Sequence, residues 1–337
     1  MDLHTPACDL LGCELPIVLA GMGGVSRSEL AAAVSAAGGF GFMGLVREQP
    51  ELIAAEVAAV RARTQRPFGV NLVPAATKPA LLAAELDACL AAKVPVVALF
   101  WDLSAETVKR LRGEGVRVAC QVGSPDEARA AEDAGAHIVI AQGVEAGGHV
   151  RGTTPLHALV PAVLVAVDVP VLAAGGLVDG DDLAAVMALG AQGGVFGTAF
   201  LATRESFAHD YHKRRIVEAE PGDTVHTYDF HLNWPPDSAV RVLPNSVTRG
   251  ERGDPRAGGE RQVIGADGGR SIYLFSTDSP QRNMTGDFEA MALYAGEGAG
   301  RISDIPSAAE RLQAIAERAA DRLAERPAPQ RAPGGSR

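Results

Sequence analysis

The feature that most constrains this fold is a repeating order of apolar strand, loop and helix between Pro16 and Thr198. The unit recurs about every 25 residues, a spacing typical of consecutive βα units. Short apolar runs predict eight strands, at residues 17–20, 40–43, 69–72, 94–99, 116–120, 137–141, 169–173 and 194–196. Because eight parallel strands with intervening helices close into a barrel, the pattern predicts an α/β fold of the (β/α)8 TIM-barrel type.

Helix boundaries are marked by capping signals. Residues 26–29 (Ser-Arg-Ser-Glu) and 124–127 (Ser-Pro-Asp-Glu) fit capping boxes, in which a hydroxyl and a carboxylate satisfy free backbone N–H groups. Asp179 or Asp181 is expected to cap the helix that follows strand seven. Pro161 interrupts an apolar stretch, so regular helix is expected only from about that residue onward.

The βα rhythm is lost after the eighth strand. We expect residues 1–205 and 306–325 to form the barrel, because the latter range carries apolar residues at helical spacing. Residues 206–305 are predicted to form a smaller α+β unit on the substrate side. Within it, the Gly-, Arg- and Asp-rich residues 249–270 indicate a mobile surface loop or hairpin rather than packed structure. The proline-rich residues 326–337 predict a disordered tail.

Composition narrows the class of partner. The chain has 337 residues and a formal net charge of -10, which argues against nucleic acid and favours a small-molecule substrate. Four cysteines lack metal-ligand spacing, and Cys8 and Cys13 lack the two-residue spacing of a redox pair, so plain thiols are favoured. No segment is apolar over the length of a bilayer, and no signal peptide is evident. We expect a soluble, cytoplasmic monomer or homodimer without a membrane partner.

The residues just beyond the strands predict a ligand site. Catalytic groups of a βα barrel lie at the carboxyl ends of its strands. Here these positions hold amides, glycines and one histidine: Met22, Asn71, Gln121, Gln142, Gly147, Gly148, His149, Gly175, Gly176, Gly197 and Thr198. Such a rim offers hydrogen bonds to a planar polar heterocycle and backbone N–H groups to a phosphate, but no carboxylate cluster for a metal. Flavin mononucleotide (FMN) fits this inventory.

Five segments also carry a resemblance to a known family. They are Pro16–Met22 (PIVLAGM), residues 68–71 (FGVN), 141–149 (AQGVEAGGH), 173–176 (AAGG) and 196–198 (FGT). In this order at strand ends they resemble the nitronate monooxygenases, formerly called 2-nitropropane dioxygenases. The likeness covers about residues 10–205, and a fainter one continues around Trp234 and residues 286–296.

The resemblance implies a barrel that binds FMN without a covalent link and oxidises alkyl nitronates, or nitroalkanes, with O2 to a carbonyl compound and nitrite. It implies that Met22 meets the isoalloxazine through its backbone and that Asn71 and Gln121 bond the pyrimidine edge. The glycines with Thr198, together with Gln142 and Gly148 of the sixth loop, would complete the cofactor site. His149 would be the catalytic base. Many flavin barrels place a lysine near the pyrimidine edge, whereas this chain offers the neutral side chain of Gln121 there.

Two other functions remain open on the same residues. An NADH-using, FMN-dependent enoyl-thioester (enoyl-ACP) reductase shares the segment Glu145–His149, and a flavin-binding barrel without turnover would need only the glycines. Trp234 and the residues around Tyr294 favour the oxygenase.

Several residues keep a second interpretation. His149 could bond only backbone or phosphate, Met22 could be a core residue, and Tyr294 could either face the substrate or pack between the two units. His209, His212, His226 and His231 match no standard metal-ligand spacing, so we predict no metal site.

Overall fold

A closed barrel of parallel strands forms the centre of the molecule. The computed structural model describes residues 3–101, 103–257 and 259–325. The strands of the first two thirds are β1 (Ile17–Leu19), β2 (Phe40–Gly44), β3 (Phe68–Leu72), β4 (Val96–Phe100), β5 (Arg117–Val122), β6 (Ile138–Gln142), β7 (Gly148–Val150), β8 (Val171–Ala174) and β9 (Gly194–Phe196). All but β7 join the barrel in chain order, and β1 pairs with β9 to close it. The predicted eight-stranded barrel is confirmed, and each strand overlaps its predicted range.

Helices surround the barrel and plug one end of it. They are α1 (Pro6–Leu11), α2 (Ser28–Ala36), α3 (Pro50–Arg63), α4 (Pro79–Ala91), α5 (Ala105–Gly113), α6 (Pro125–Ala134), α7 (Leu156–Ala166), α8 (Gly180–Ala188), α9 (Thr198–Leu201), α10 (Asp210–Val217) and α11 (Ala308–Ala324). Apolar residues of α1 share one buried cluster with the inward-facing side chains of the strands. The barrel interior is therefore a packed core, closed by α1 at one end and open at the carboxyl ends of its strands. No helix in the described ranges has the length and hydropathy that crossing a bilayer requires.

Two of the predicted caps are present. The Ser124 hydroxyl accepts the N–H of Glu127 at the start of α6, as expected. Asp179, rather than Asp181, caps α8 in a full capping box with Asp182. Both contacts satisfy backbone donors that have no partner within the helix.

The capping box predicted at residues 26–29 is wrong. Ser26 is fully buried, and its hydroxyl accepts the N–H groups of Met22 and Gly44 at 2.8 and 3.0 Å. It therefore ties the loop after β1 to the end of β2. A backbone N–H at the start of α2 is instead bonded by a side chain from the neighbouring helix α3. The carboxylate of Glu56 accepts the N–H of Ser28 at 2.7 Å.

The expected interruption at Pro161 is also wrong, because α7 continues through it. A proline at this position removes one bond, to the carbonyl four residues earlier, and its ring crowds that carbonyl. Leu159, Val160 and Val163 of the same helix are fully buried against the barrel. Their packing stabilises the helix more than the single missing bond destabilises it.

The chain beyond the barrel adds two small antiparallel sheets. Strands β10 (Val225–Thr227) and β11 (Ala239–Val242) form the order β10-β11-β7, and β12 (Val263–Asp267), β13 (Arg270–Tyr273) and β14 (Met284–Gly286) form the order β13-β12-β14. Most of the described residues in 249–263 are exposed, as predicted for a surface loop. The segment ends in the β12–β13 hairpin, which continues to Tyr273, and there Ile264 lies in a buried cluster with Phe230 and Met284, so the expectation of unpacked structure is wrong only at this end.

The division of the chain at residues 205 and 305 stays a prediction. β11 pairs with β7 of the barrel segment, with Val240 opposite His149. The last helix, α11, packs closely on α8, where a side chain at Gly180 would collide with the backbone of Ala319. The predicted tail at 326–337 lies outside the described residues.

Candidate active site

All residues predicted for the site line one cavity at the carboxyl ends of the strands. This cavity measures about 620 Å³. Its walls include every one of them: Met22, Asn71, Gln121, Gln142, Gly147, Gly148, His149, Gly175, Gly176, Gly197 and Thr198. The strand ends thus bring together residues that are distant in sequence. That each of them contacts a ligand stays a prediction.

One end of the cavity is a cradle of backbone N–H groups. Gly175 and Gly176 follow β8 with φ of 120° and 71°, angles that side-chain-bearing residues rarely adopt. Gly197 and Thr198 follow β9 and begin α9. In the part of the chain that the structure describes, the N–H groups of these four residues have no acceptor. Free backbone donors gathered at neighbouring strand ends can bind anionic oxygens.

A segment from the distal part of the chain closes over this cradle. A Cβ added to Gly147 would collide with the backbone nitrogen of Gly296, and one added to Gly298 would collide with the carbonyl oxygen of Gly176. The N–H of Gly296 donates to the Thr198 hydroxyl at 2.9 Å. The Thr198 hydroxyl therefore already has a protein donor, and the cradle ends against protein backbone.

Amide side chains line the opposite wall. Asn71, at the end of β3, is buried, and its Nδ2 donates to the carbonyl of Gly21 at 3.4 Å. A Cβ on Gly21 would collide with the Asn71 side chain, so the glycine makes room for it. The amide of Gln121 has no partner among the described residues. Both side chains retain groups that can bond the edge of a heterocycle.

Two of the predicted cofactor residues are already engaged with the protein. The Gln142 amide donates to the His149 carbonyl at 3.0 Å and accepts the N–H of Arg151 at 3.1 Å, so it holds β7 in place. The backbone N–H of Met22 is bonded to Ser26, and its carbonyl accepts the N–H groups of Val25 and Ser26. Since these groups are used, Met22 offers the cavity its side chain, whose sulfur lies beside Gly197.

The imidazole of His149 lies among aromatic rings. It stacks on Trp234 with ring centroids 3.4 Å apart, and the rings of Tyr294 and Trp101 lie at 5.7 and 6.1 Å. Its Nε2 is buried without a hydrogen-bond partner in the described residues. Removal from water lowers the pKa of His149 well below its usual value, and the positive charge of Arg47 lowers it further. The ring is therefore a neutral imidazole whose Nε2 has no protein partner among the described residues.

Sequence reasoning missed three residues around this ring. Trp101 follows β4 directly, so the rule that selects residues after strand ends could have found it. Arg47 lies in the loop after β2 and lines the same cavity. Trp234 lies far along the chain, and only its family likeness indicated that it belongs near the site.

Tyr294 satisfies both of its predicted interpretations. It lines the cavity, and its hydroxyl donates to the carbonyl of Thr277 at 2.9 Å. The Nε2 of His212 lies 3.0 Å from its backbone carbonyl, and burial lowers the pKa of His212 to about 4. Among the described residues no three His, Cys, Asp or Glu side chains cluster as metal ligands would.

A barrel whose rim joins an anion cradle, free amides and a desolvated imidazole defines a cofactor-dependent enzyme of the redox class. The profile of the nitronate monooxygenase family matches residues 4–317. The chain belongs to this family of flavin-dependent oxidoreductases, so the predicted family and enzyme class are confirmed. The alternative of a flavin-binding barrel without turnover is set aside.

Relatives of nearly full length carry different activities in their names. A Mycobacterium tuberculosis protein named (3aS,4S,5R,7aS)-5-hydroxy-7a-methyl-1-oxo-octahydro-1H-indene-4-carboxyl-CoA dehydrogenase is 31% identical, over 94% of this chain and 96% of its own. The structure of FabK from Thermotoga maritima superposes with a TM-score of 0.80 at 31% identity, over 96% and 98% of the two chains. A nitroalkane oxidase from Streptomyces ansochromogenes gives a TM-score of 0.76 at 32% identity, over 95% and 99%.

Proposed function

We propose that this protein binds FMN and oxidises alkyl nitronates, and through them nitroalkanes, with O2 to a carbonyl compound and nitrite. The observation that carries the proposal is the neutral imidazole of His149, whose unpartnered Nε2 is buried at the wall of the cavity. The carbon next to a nitro group is acidic, and a neutral, positioned base is what its deprotonation requires.

The shape of the cavity supports FMN as the flavin. Four free N–H groups, of Gly175, Gly176, Gly197 and Thr198, match the oxygens of a terminal phosphate. The backbone around Gly296 packs closely against this part of the cavity, which favours a cofactor that ends in its phosphate. At the other wall, Asn71 and Gln121 would bond the pyrimidine edge, and Gln142 would act on the cofactor only by holding β7.

His149 and its neighbours would perform the proton chemistry. The Nε2 takes the α-proton of a nitroalkane, and the resulting imidazolium stays against the face of Trp234, where a cation is favourable. For a substrate that enters as the nitronate, the same ring only orients the carbon. Trp234 lines this side of the cavity and would exclude water from it, and Trp101 packs edge-on against Trp234 from behind. FMN, when bound, supplies the acceptor for the electrons of the nitronate and passes them to O2.

The cofactor is tested by releasing it. The purified protein is denatured and the yellow supernatant is separated by chromatography against FMN and FAD standards. We expect FMN, at about one per chain. Recovery of FAD would contradict the closed cradle, and a colourless protein that binds neither flavin would contradict the whole site.

The reaction is tested without oxygen. The FMN-loaded protein is mixed anaerobically with ethylnitronate and, separately, with NADH, and the flavin absorbance is followed. We expect bleaching by ethylnitronate and not by NADH, and nitrite and acetaldehyde after O2 is admitted. Bleaching by NADH alone would replace this proposal with the second candidate.

That second candidate is an NADH-using reductase of enoyl thioesters. It is supported by a cavity that extends past His149 to Ser271 and Tyr273 of the β12–β13 hairpin, which leaves room for a long acyl chain. The near-full-length relative named for a carboxyl-CoA substrate supports it as well. Oxidation of NADH that depends on crotonyl-CoA would favour this reaction over the oxygenase.

A further inference from the structure

Arg47 is a cavity arginine without an acidic partner. It lies in the loop after β2, and its φ of 61° is a left-handed conformation that non-glycine residues rarely adopt. Its Nη1 donates to the carbonyl of Asn233 at 2.6 Å, directly before Trp234. Across the described ranges no carboxylate lies within ion-pair distance of its guanidinium, and its Nε and Nη2 have no acceptor. One edge of the guanidinium is therefore free.

Two other arginines of the cavity, half-buried Arg27 and exposed Arg270, are neutralised by carboxylates. Arg27 pairs with Glu48 at 3.2 Å, and Arg270 pairs with Asp278 at 2.9 Å. Arg261 also lines the cavity, but it is exposed at the mouth. Arg47 therefore supplies the uncompensated positive charge nearest to the imidazole, and this charge acts on the ring of His149.

The loop that carries Arg47 is anchored to α4. Glu85 of α4 is fully buried, and its carboxyl oxygen accepts the N–H of Glu48 at 2.9 Å. On the other side of the loop, the hydrogen bond from Arg47 to the carbonyl of Asn233 links the arginine to the segment that carries Trp234. The guanidinium thus has a fixed place relative to His149, because both side chains are tied to the same short segment.

We propose that Arg47 binds the two oxygens of the nitronate group and stabilises the negative charge that forms on them when His149 removes the α-proton. The α-C–H bond breaks, the proton goes to Nε2, and the electron pair spreads onto the nitro oxygens. A nitronate is planar with two geminal oxygens, as a carboxylate is, and the free Nε and Nη2 edge of a guanidinium matches that geometry. The choice of nitronate as the anion rests on the proposed function.

Binding of a carboxylate isostere tests this role apart from turnover. FMN-loaded wild type, Arg47→Gln, Arg47→Lys and Arg261→Gln are titrated with propionate and with neutral propionamide, following the flavin spectrum and tryptophan fluorescence. We expect Arg47→Gln to weaken propionate about tenfold to a hundredfold, the range for a hydrogen bond to a charged group. FMN content and propionamide binding should stay unchanged, and Arg47→Lys should recover part of the affinity.

The matched control is Arg261→Gln, which removes one positive charge at the mouth of the same cavity. We expect less than a threefold change in propionate affinity, since a contact and not a long-range field is proposed. An equal loss in both variants, an unchanged affinity in Arg47→Gln, or a wild type that binds propionate no better than propionamide would overturn the assignment. A wild type that binds propionate through Arg47 but is not reduced by ethylnitronate would refute the proposed function alone.

Discussion

The imidazole of His149 lies against the indole of Trp234, with the two ring planes inclined by 22° and their centroids 3.4 Å apart. The two residues are distant in sequence. His149 lies in β7, and Trp234 lies just before β11, which pairs with β7. The stacking orients the ring and keeps water from one of its faces. Both effects bear on how the histidine acts as a base.

Replacing Trp234 by leucine should slow proton abstraction. A stacked pair of this kind stabilises its geometry by roughly 0.5–1.5 kcal/mol, so we expect kcat for nitroethane to fall by about twofold to tenfold. The pKa of His149 should rise toward its usual value as water reaches the ring, and the pH profile of kcat measures that shift. Trp234→Phe keeps a stacking surface and should stay close to wild type. Unchanged rate and pH midpoint in Trp234→Leu would show that the contact only fills space.

Removing the base should affect turnover of the neutral nitroalkane and of the preformed nitronate differently. We expect His149→Ala to retain FMN and to lose turnover of nitroethane by about 10²–10⁴-fold, the usual contribution of a positioned base. Anaerobic bleaching by preformed ethylnitronate should persist, because that substrate has already lost its proton. Equal loss on both substrates would assign His149 to binding and not to proton transfer.

The pH dependence of the wild type follows from the same environment. Burial lowers the pKa of His149 well below 6.5, so the base stays unprotonated as the pH falls from neutral to 6.5. The rate of flavin reduction by neutral nitroethane should therefore be flat over that range and decline only at lower pH. Stopped-flow mixing from freshly prepared neutral nitroethane measures it. A midpoint at or above 6.5 would contradict a desolvated base.

The barrel and one side of its site were predictable because they follow from local pattern. Apolar runs mark the strands, and the residues just beyond them, such as Asn71 and Gly175, must meet at one rim once the barrel closes. His149 was found by the same rule. The roles of individual residues within the rim were less predictable. The side-chain amide of Gln142 and the backbone N–H of Met22 form hydrogen bonds with the protein itself and are not free for a ligand.

The rest of the site depends on contacts that have no local signature. Trp234 reaches His149 only because β11 pairs with β7 in one register, and register between distant strands is not encoded in either segment alone. Ser26 has the sequence of a helix cap but is drawn into the core by two backbone donors. In both cases tertiary packing decides between options that the local sequence leaves open.

The cradle should depend on glycine for space as well as for backbone conformation. We expect Gly176→Ala to lose FMN, because its Cβ would lie 3.1 Å from that of Glu145 and the φ of 71° is strained for alanine. Gly250 has a φ of 72° with nothing within 4 Å of a Cβ, so Gly250→Ala carries the same strain, about 1 kcal/mol, away from the cavity. Thermal unfolding of the flavin-free proteins should show similar destabilisation in both variants. FMN content should fall only in Gly176→Ala. Loss of FMN in both variants would indicate general destabilisation.

The buried carboxyl beneath the Arg47 loop should make stability depend on pH. Burial raises the pKa of Glu85 from 4.5 to about 7, so the folded state favours the protonated acid and loses stability as the pH rises through that window. A shift of this size corresponds to about 3 kcal/mol. The side chain of Glu85→Gln is neutral at every pH and still offers an oxygen to the N–H of Glu48. The variant should therefore not lose stability in this way as the pH rises. Urea unfolding at saturating FMN should show the free energy of unfolding of the variant, relative to wild type, rising by about that amount from pH 4.5 to pH 8. A difference that stays constant over this range would mean that burial does not raise the pKa of Glu85.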